Sequence, residues 1–198
     1  MMSLRENIFL SRDFLCATNG SKLYIKYNPD YKGLPLLIPR KMMSVLSVGD
    51  RIGNSDSNTF LYFDSGIAMF SSDRLSEYPH NKIKSFADES FSDSERMFPI
   101  EELNTAFINV ETVLFKETRR LANLKAIDRM LTVTAQSLNG TAKFNIPRDI
   151  SRDFEMTFDI DLVKGITDYD VYIGTQADML LFLSTIDKNA KIIIMGFK

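Results

Sequence analysis

Asp13-Phe14-Leu15-Cys16-Ala17-Thr18-Asn19-Gly20-Ser21-Lys22-Leu23 opens a plan that the chain repeats in its second half, from Arg129-Met130-Leu131-Thr132-Val133-Thr134-Ala135-Gln136 onward. The first copy runs through Tyr24-Ile25-Lys26-Tyr27 into Leu36-Leu37-Ile38-Pro39-Arg40-Lys41. A short apolar helix follows, with Met42, Met43, Val45 and Leu46 on its buried side, then strand-like runs at Phe60-Leu61-Tyr62-Phe63 and Ile67-Ala68-Met69-Phe70. The second copy runs through Ala142-Lys143-Phe144-Asn145-Ile146 and Phe154-Glu155-Met156-Thr157-Phe158 to a helix-like segment from Asp159 to Ile166. It closes with strands at Val171-Tyr172-Ile173 and Met179-Leu180-Leu181-Phe182-Leu183. In Phe154 to Phe158 apolar and polar residues alternate, the pattern of a strand with one buried and one wet face. Asn19-Gly20 between two such runs reads as a hairpin turn. The repeated order of strands, helix and strands predicts an α+β fold of two similar modules, each an antiparallel sheet with helices packed on one face. Duplicated modules of this kind build surfaces for assembly more often than a single catalytic pocket.

The bulk numbers narrow the class. At 198 residues the chain suits one large domain or two of about 100 residues each. Hydrophobic residues at 44% and charged residues at 25% exclude global disorder. A formal net charge of −2 carries no bulk signal for nucleic acid, although a local basic face is compatible with it. The single cysteine, Cys16, excludes an internal disulfide and a cysteine-rich metal site, and its alternating apolar context predicts a buried, inert thiol. No run reaches the roughly 18 apolar residues of a membrane span. The polar N-terminal stretch does not read as a signal peptide, so the expected location is cytoplasmic, with no membrane partner.

Residues 85–96 are crowded with Ser85, Asp88, Glu89, Ser90, Ser92, Asp93, Ser94 and Glu95, a composition that predicts an acidic linker. Asp88, Glu89, Asp93 and Glu95 lack the alternating ligands and fixed glycine of a calcium loop, so solvated charge is the better reading and no metal site is expected. Beyond it, Pro99 suits a helix first turn, Glu101 and Glu102 suit the positive helix end, and Leu103, Phe107, Val110 and Leu114 recur at helical spacing. That pattern predicts an amphipathic helix of about four turns. Its outer face, with Asn104, Thr105, Asn109, Glu111 and Thr112, is polar but not basic. Asp159 or Asp161 can cap the shorter helix that buries Ile160, Leu162, Val163 and Ile166. Ile192-Ile193-Ile194-Met195 predicts a buried C-terminal strand.

Catalytic chemistry is hard to assemble from these residues. His80 is the only histidine, follows Pro79 in a polar stretch and has no second imidazole or cysteine to share a metal with. It reads as a solvated loop residue. No glycine-flanked serine stands at a strand-to-helix turn. Asn19-Gly20-Ser21-Lys22 lacks the spaced glycines and following helix of a phosphate loop. The chain reads as a non-enzyme with no cofactor.

The motifs in order resemble the bacterial DNA polymerase sliding clamp, the β subunit of DNA polymerase III. Ala17-Thr18-Asn19-Gly20-Ser21-Lys22-Leu23 is similar to the Ala-Thr-Asp-Gly-His-Arg-Leu hairpin of the family's middle domain. Leu37-Ile38-Pro39-Arg40-Lys41 is similar to its Ile/Val-Pro-Arg-Lys strand end, and Ser76-Glu77-Tyr78-Pro79 to the aromatic-Pro-Asp-Tyr segment closing that domain. Met97 to Phe115 resembles the first helix of the last domain, Leu131-Thr132-Val133-Thr134-Ala135 its Leu-Thr-Leu-Ser-Ser strand, and Phe158-Asp159-Ile160-Asp161-Leu162-Val163 its second helix start. Ile193-Ile194-Met195-Gly196-Phe197-Lys198 resembles the family's Val-Val-Met-Pro-Met-Arg ending, with Gly196 where the family has Pro and Ser21 where it prefers His.

The resemblance implies a DNA clamp fold, with residues 1–84 a partial module lacking its first helix, 85–96 the linker and 97–198 a complete C-terminal module. It implies a processivity factor that tethers DNA polymerase and clamp loader, through their short linear motifs, to duplex DNA bound without sequence preference. The partner-peptide groove it implies has walls from Thr18, Ser21, Lys22 and Leu23, from Pro79, and from Ile193, Met195, Gly196 and Phe197. Arg40, Lys41 and Lys164 are the implied phosphate-facing cations. A six-module homo-oligomeric ring built from two modules per chain would be a trimer, whereas a fragment missing its partner edges would stay monomeric, and the resemblance leaves both open. The weakly basic long helix leaves a second reading open, a clamp-like interaction module that binds replication factors without encircling DNA.

Overall fold

A computed structural model describes residues 7–44, 51–55, 58–63, 66–71, 75–148, 150, 153–174 and 179–197. Two compact units divide the chain, Met1–Ala87 and Asp88–Lys198.

The first unit begins with four short strands, β1 (Asn7–Leu10), β2 (Phe14–Thr18), β3 (Lys22–Tyr27) and β4 (Leu36–Pro39), joined antiparallel in the order β4-β1-β2-β3. Alternation sorts their side chains. Phe9, Phe14, Cys16, Leu23 and Ile25 are buried, while Ala17 and Tyr24, which face each other across β2 and β3, are half-buried. On one sheet face Leu10, Leu36 and Ile38 form a core cluster, with Ile8, Leu15, Met42 and Ile52 packed around it. After Pro39 the chain tightens into a 3-10 helix, Arg40–Ser44. Met42 supports the cluster as expected, but Met43 is 45% exposed; Val45 and Leu46 lie outside the described residues. Strands β5 (Arg51–Asn54), β6 (Asn58–Phe63) and β7 (Gly66–Ser71) follow as an antiparallel meander.

The segment expected as an acidic linker carries regular structure. Helix α1 spans His80–Ser92, across the division between the units, and β8 spans Glu95–Pro99. Ala87 and Ser90 are buried and Ile83 is half-buried, so the helix does have an inward stripe. That stripe is too small and polar to stand out against the surrounding carboxylates.

In the second unit, α2 (Ile100–Glu111) follows β8 directly. Pro99 is extended (φ −64°, ψ 147°) at the cap position rather than in the first turn, and the helix is about three turns long. Leu103, Ala106, Phe107 and Val110 are buried along it, and Leu114 just past its end. Strands β9 (Leu121–Ile127), β10 (Met130–Ser137), β11 (Gly140–Pro147) and β12 (Phe154–Asp159) form an antiparallel sheet in the order β12-β9-β10-β11. The expected short helix is a 3-10 turn, Ile160–Leu162, and Asp159 is its cap, accepting from the Asp161 N–H at 3.0 Å. Strands β13 (Tyr169–Ile173), β14 (Met179–Ser184) and β15 (Ala190–Met195) pair in turn, and β8 joins β13 with a bulge at Val171/Tyr172.

The repeat is thus real in topology. Four strands, a 3-10 turn and three strands occur in each unit, and both four-stranded sheets have the order fourth-first-second-third. Among the described residues, the second unit has β8 and α2 before its four strands, and the described part of the first unit starts at β1. No helix among the described residues is long and apolar enough to cross a membrane.

Candidate functional site

The β2–β3 hairpin is the best-defined piece of the site that the sequence singled out. The Asn19 carboxamide oxygen accepts from the Ser21 N–H (3.0 Å) and the Lys22 N–H (2.7 Å), holding the chain in an Asx turn. Gly20 sits at φ 89°, a conformation that favours glycine. The Thr18 hydroxyl accepts from the Gly20 N–H and donates to the Lys22 carbonyl, each at 3.0 Å. Thr18 is thereby committed to shaping the turn.

Alternation then splits the hairpin between two surfaces. Leu23 is 8% exposed and shares the face of Cys16 and Ile25. Lys22 and Tyr24 take the other face, where a cavity of about 200 Å³ is lined by Ile8, Ala17, Thr18, Lys22, Tyr24 and Arg40. Burial holds the Lys22 ammonium below its ordinary pKa, because removing the charged form from water is costly. The structure therefore brings two residues of the expected peptide groove, Thr18 and Lys22, together with Arg40, expected to face DNA. Ile8, Ala17 and Tyr24 of this cavity are not among the site residues expected from the sequence. The available signal was alternation on β2 and β3, which places Ala17 and Tyr24 opposite the Cys16 face.

Around Cys16 the structure is closed. The thiol is fully buried, lies 3.9 Å from the Tyr78 hydroxyl, and is pushed up to about 11, chiefly by burial. The burial of the thiol expected from the sequence is what the structure holds. Pro79, which follows Tyr78 in the chain, is half-buried. His80 is not a solvated loop residue: it opens α1, stacks on Phe9 with ring centres 4.6 Å apart, and its Nδ1 lies 2.9 Å from the Tyr78 carbonyl oxygen.

The remaining candidates are in the second unit. Ile193 is buried in β15, whereas Met195 at the strand end is 37% exposed. Gly196 and Phe197 are half-buried. The Phe197 N–H donates to the Thr157 carbonyl at 2.6 Å, and the Arg119 guanidinium lies 5.0 Å from its ring centre. Lys164 is ion-paired: its Nζ is 2.5 Å from Glu111 and 4.0 Å from Asp161. Arg120 bridges the same two carboxylates. Two cations and two anions offset each other there, so Lys164 contributes little net field. Arg40 and Lys41 are exposed on the 3-10 helix of the first unit. Helix α2 carries Glu101, Glu102 and Glu111 and no lysine or arginine. Among the described residues, no group of three or more His, Cys, Asp or Glu side chains is placed to hold a metal ion.

No protein-family model and no curated sequence matches the chain. Solved structures do. The chain is similar to Caulobacter crescentus DNA polymerase III β over 100% of its own length and 59% of that chain, with a TM-score of 0.76 at 16% identity. Against the DNA polymerase III β subunit of Thermotoga maritima the TM-score is 0.73 at 12% identity, over 99% of this chain and 58% of that one. The Borrelia burgdorferi subunit, solved with a natural product, gives 0.73 at 18% identity, over 99% of this chain and 56% of that one. This chain spans less than three-fifths of the length of these proteins. Its fold is that of the bacterial DNA polymerase III β sliding clamp, over part of that protein's length.

Proposed function

We propose that the chain is a DNA sliding-clamp processivity factor, or a piece of one, that tethers replication proteins to duplex DNA. The observation that carries this reading is the agreement in fold along the whole chain with β clamps. Tethering needs topology and docking, not a reactive side chain. The reading assigns partner docking to Thr18, Ser21, Lys22, Leu23 and Pro79 of the first unit and to Ile193, Met195, Gly196 and Phe197 of the second. Met195 suits such a role because an exposed thioether adapts to leucine or phenylalanine anchors. DNA contact falls to Arg40 and Lys41, whose attraction to phosphates weakens as salt rises. Lys164 is the weaker DNA candidate because Glu111 holds it.

One observation favours a second reading, a clamp-like module that binds replication factors without encircling DNA. The α2 helix offers phosphates three carboxylates and no cation. Retention on nicked circular DNA through a high-salt wash, measured before and after linearising the circle, separates the two. An encircling clamp stays on the circle and leaves after linearisation. Equal loss from both forms, with peptide binding intact, assigns the chain to the second reading.

A further inference from the structure

The four-stranded sheet of the second unit has two faces of different chemistry. One carries Ala122, Ala135 and Phe158 against α2. On the other, the register sets Thr157, Asn123, Thr134 and Lys143 in one row and Glu155, Lys125, Thr132 and Asn145 in the next. Ile127, Met130 and Pro147 form a third row where β9 turns into β10. Aligned on the fourth strand, which in each unit leads directly into a 3-10 turn, the first unit has Leu37, Phe9, Cys16 and Ile25 in place of the first of these rows. Those four are buried, with His80 stacked on Phe9 and Tyr78 against Cys16. Threonine, asparagine and lysine leave no such core to complete. The second unit's face suits contact with polar and charged groups instead.

A cavity of about 330 Å³ lies on this face, lined by Lys125, Thr134 and Lys143 and, in the third row, by Ile127 and Met130, which are 42% and 39% exposed; its lining holds no carboxylate. Most polar groups here bond one another. Lys125 pairs with Glu155 at 2.7 Å, Asn123 donates to Glu155 and Thr157, and the Thr132 hydroxyl donates to Asn145. Lys143 and Thr134, opposite each other in register, are left over: among the described residues neither side chain has a hydrogen-bond or ion-pair partner. Glu155 offsets Lys125, so the field over the cavity is chiefly that of Lys143. We propose that this face binds an extended segment of another polypeptide, with a carboxylate over Lys143 and Thr134 and an apolar side chain over Ile127 and Met130. Thr134 and Met130 stand four residues apart on β10, about 13 Å at the rise of a strand. An extended ligand spans that distance in four residues and points both side chains to the same face. The ammonium and hydroxyl give the carboxylate charge-assisted hydrogen bonds, and the Met130 thioether adapts to the apolar anchor. None of the residues assigned to peptide docking or DNA contact takes part, so the site stands or falls independently of the clamp reading.

The test is fluorescence anisotropy of the full chain with two labelled, end-capped peptides, Glu-Thr-Ser-Thr-Leu and the reverse order Leu-Thr-Ser-Thr-Glu. Saturable binding of at least one order is expected, weakened about tenfold by Lys143→Glu and by exchanging the peptide's glutamate for glutamine. Met130→Ala should weaken it about threefold or more. Lys143 and Met130 are both exposed, so these substitutions spare the core. No saturable binding of either order, or binding indifferent to Lys143→Glu or to the loss of the glutamate charge, would overturn the proposal. So would displacement by an uncharged Gln-Leu-Ser-Leu-Phe peptide, which has the leucine but no carboxylate. Tighter, Lys143-dependent binding of a labelled single-stranded oligonucleotide would overturn it too, assigning the face to nucleic acid.

Discussion

Cys16 shows how a residue's fate follows from its strand position. Alternation on β2 turns its side chain inward beneath Tyr78, where burial disfavours the thiolate and raises its pKa to about 11. Burial also raises the Tyr78 phenol well above its ordinary value. Both groups are acids whose folded forms hold the proton more tightly than the unfolded chain. Their contribution to stability is therefore complete below about pH 8.5, and it fades as pH climbs toward the raised folded value. Native protein at pH 8 should react with a thiol reagent on the order of a hundredfold more slowly than chain unfolded in urea. Comparable rates in the two states would show that the thiol is not enclosed. The hairpin beside it was legible in advance, because Asn-Gly has a mechanism for turning the chain. The stacking of His80 on Phe9 was not, since nothing local to Pro79-His80 indicates which distant ring it meets.

At the scale of elements, legibility followed the strength of each period. Helix α2 was readable because Leu103, Phe107, Val110 and Leu114 repeat cleanly, and all are buried. Phe107→Ala should lower unfolding free energy by about 3–5 kcal/mol, since it removes a ring packed on Phe158 and leaves a cavity. Urea denaturation followed by circular dichroism measures this. A change below about 1 kcal/mol would mean that α2 is not seated on the sheet as described. The helical structure of α1 is hard to read because its inward positions, Ile83, Ala87 and Ser90, make a faint stripe among charges, although the division between the units does fall within the expected linker. Strand β9 escaped notice for a related reason: its inward residues are Ala122, Leu124 and Ala126, and alanine has little strand preference. Residues 40–44 are 3-10 rather than α-helical, and a three-residue 3-10 turn, Ile160–Leu162, stands within the helix expected from Asp159 to Ile166.

For the whole molecule, the repeat visible in the sequence corresponds to a strand order shared by the two units, and the fold is similar to that of clamp structures along the entire chain. The fold was readable because duplicated patterns reinforce each other. The site was less so, since a docking surface draws on residues distant in sequence, and strand alternation separates neighbours such as Lys22 and Leu23 onto opposite faces. Clamp-type tethering demands that partner peptides dock through the residues the resemblance assigns. The most direct test is fluorescence-polarisation binding of a labelled Gln-Leu-Ser-Leu-Phe peptide to the chain and to its Met195→Ala and Leu23→Ala variants, each verified as folded. Saturable binding, weakened about tenfold by Met195→Ala and also by Leu23→Ala, is the predicted result. No binding at high-micromolar protein, or binding that neither substitution alters, would contradict clamp-type docking and leave the fold without that function.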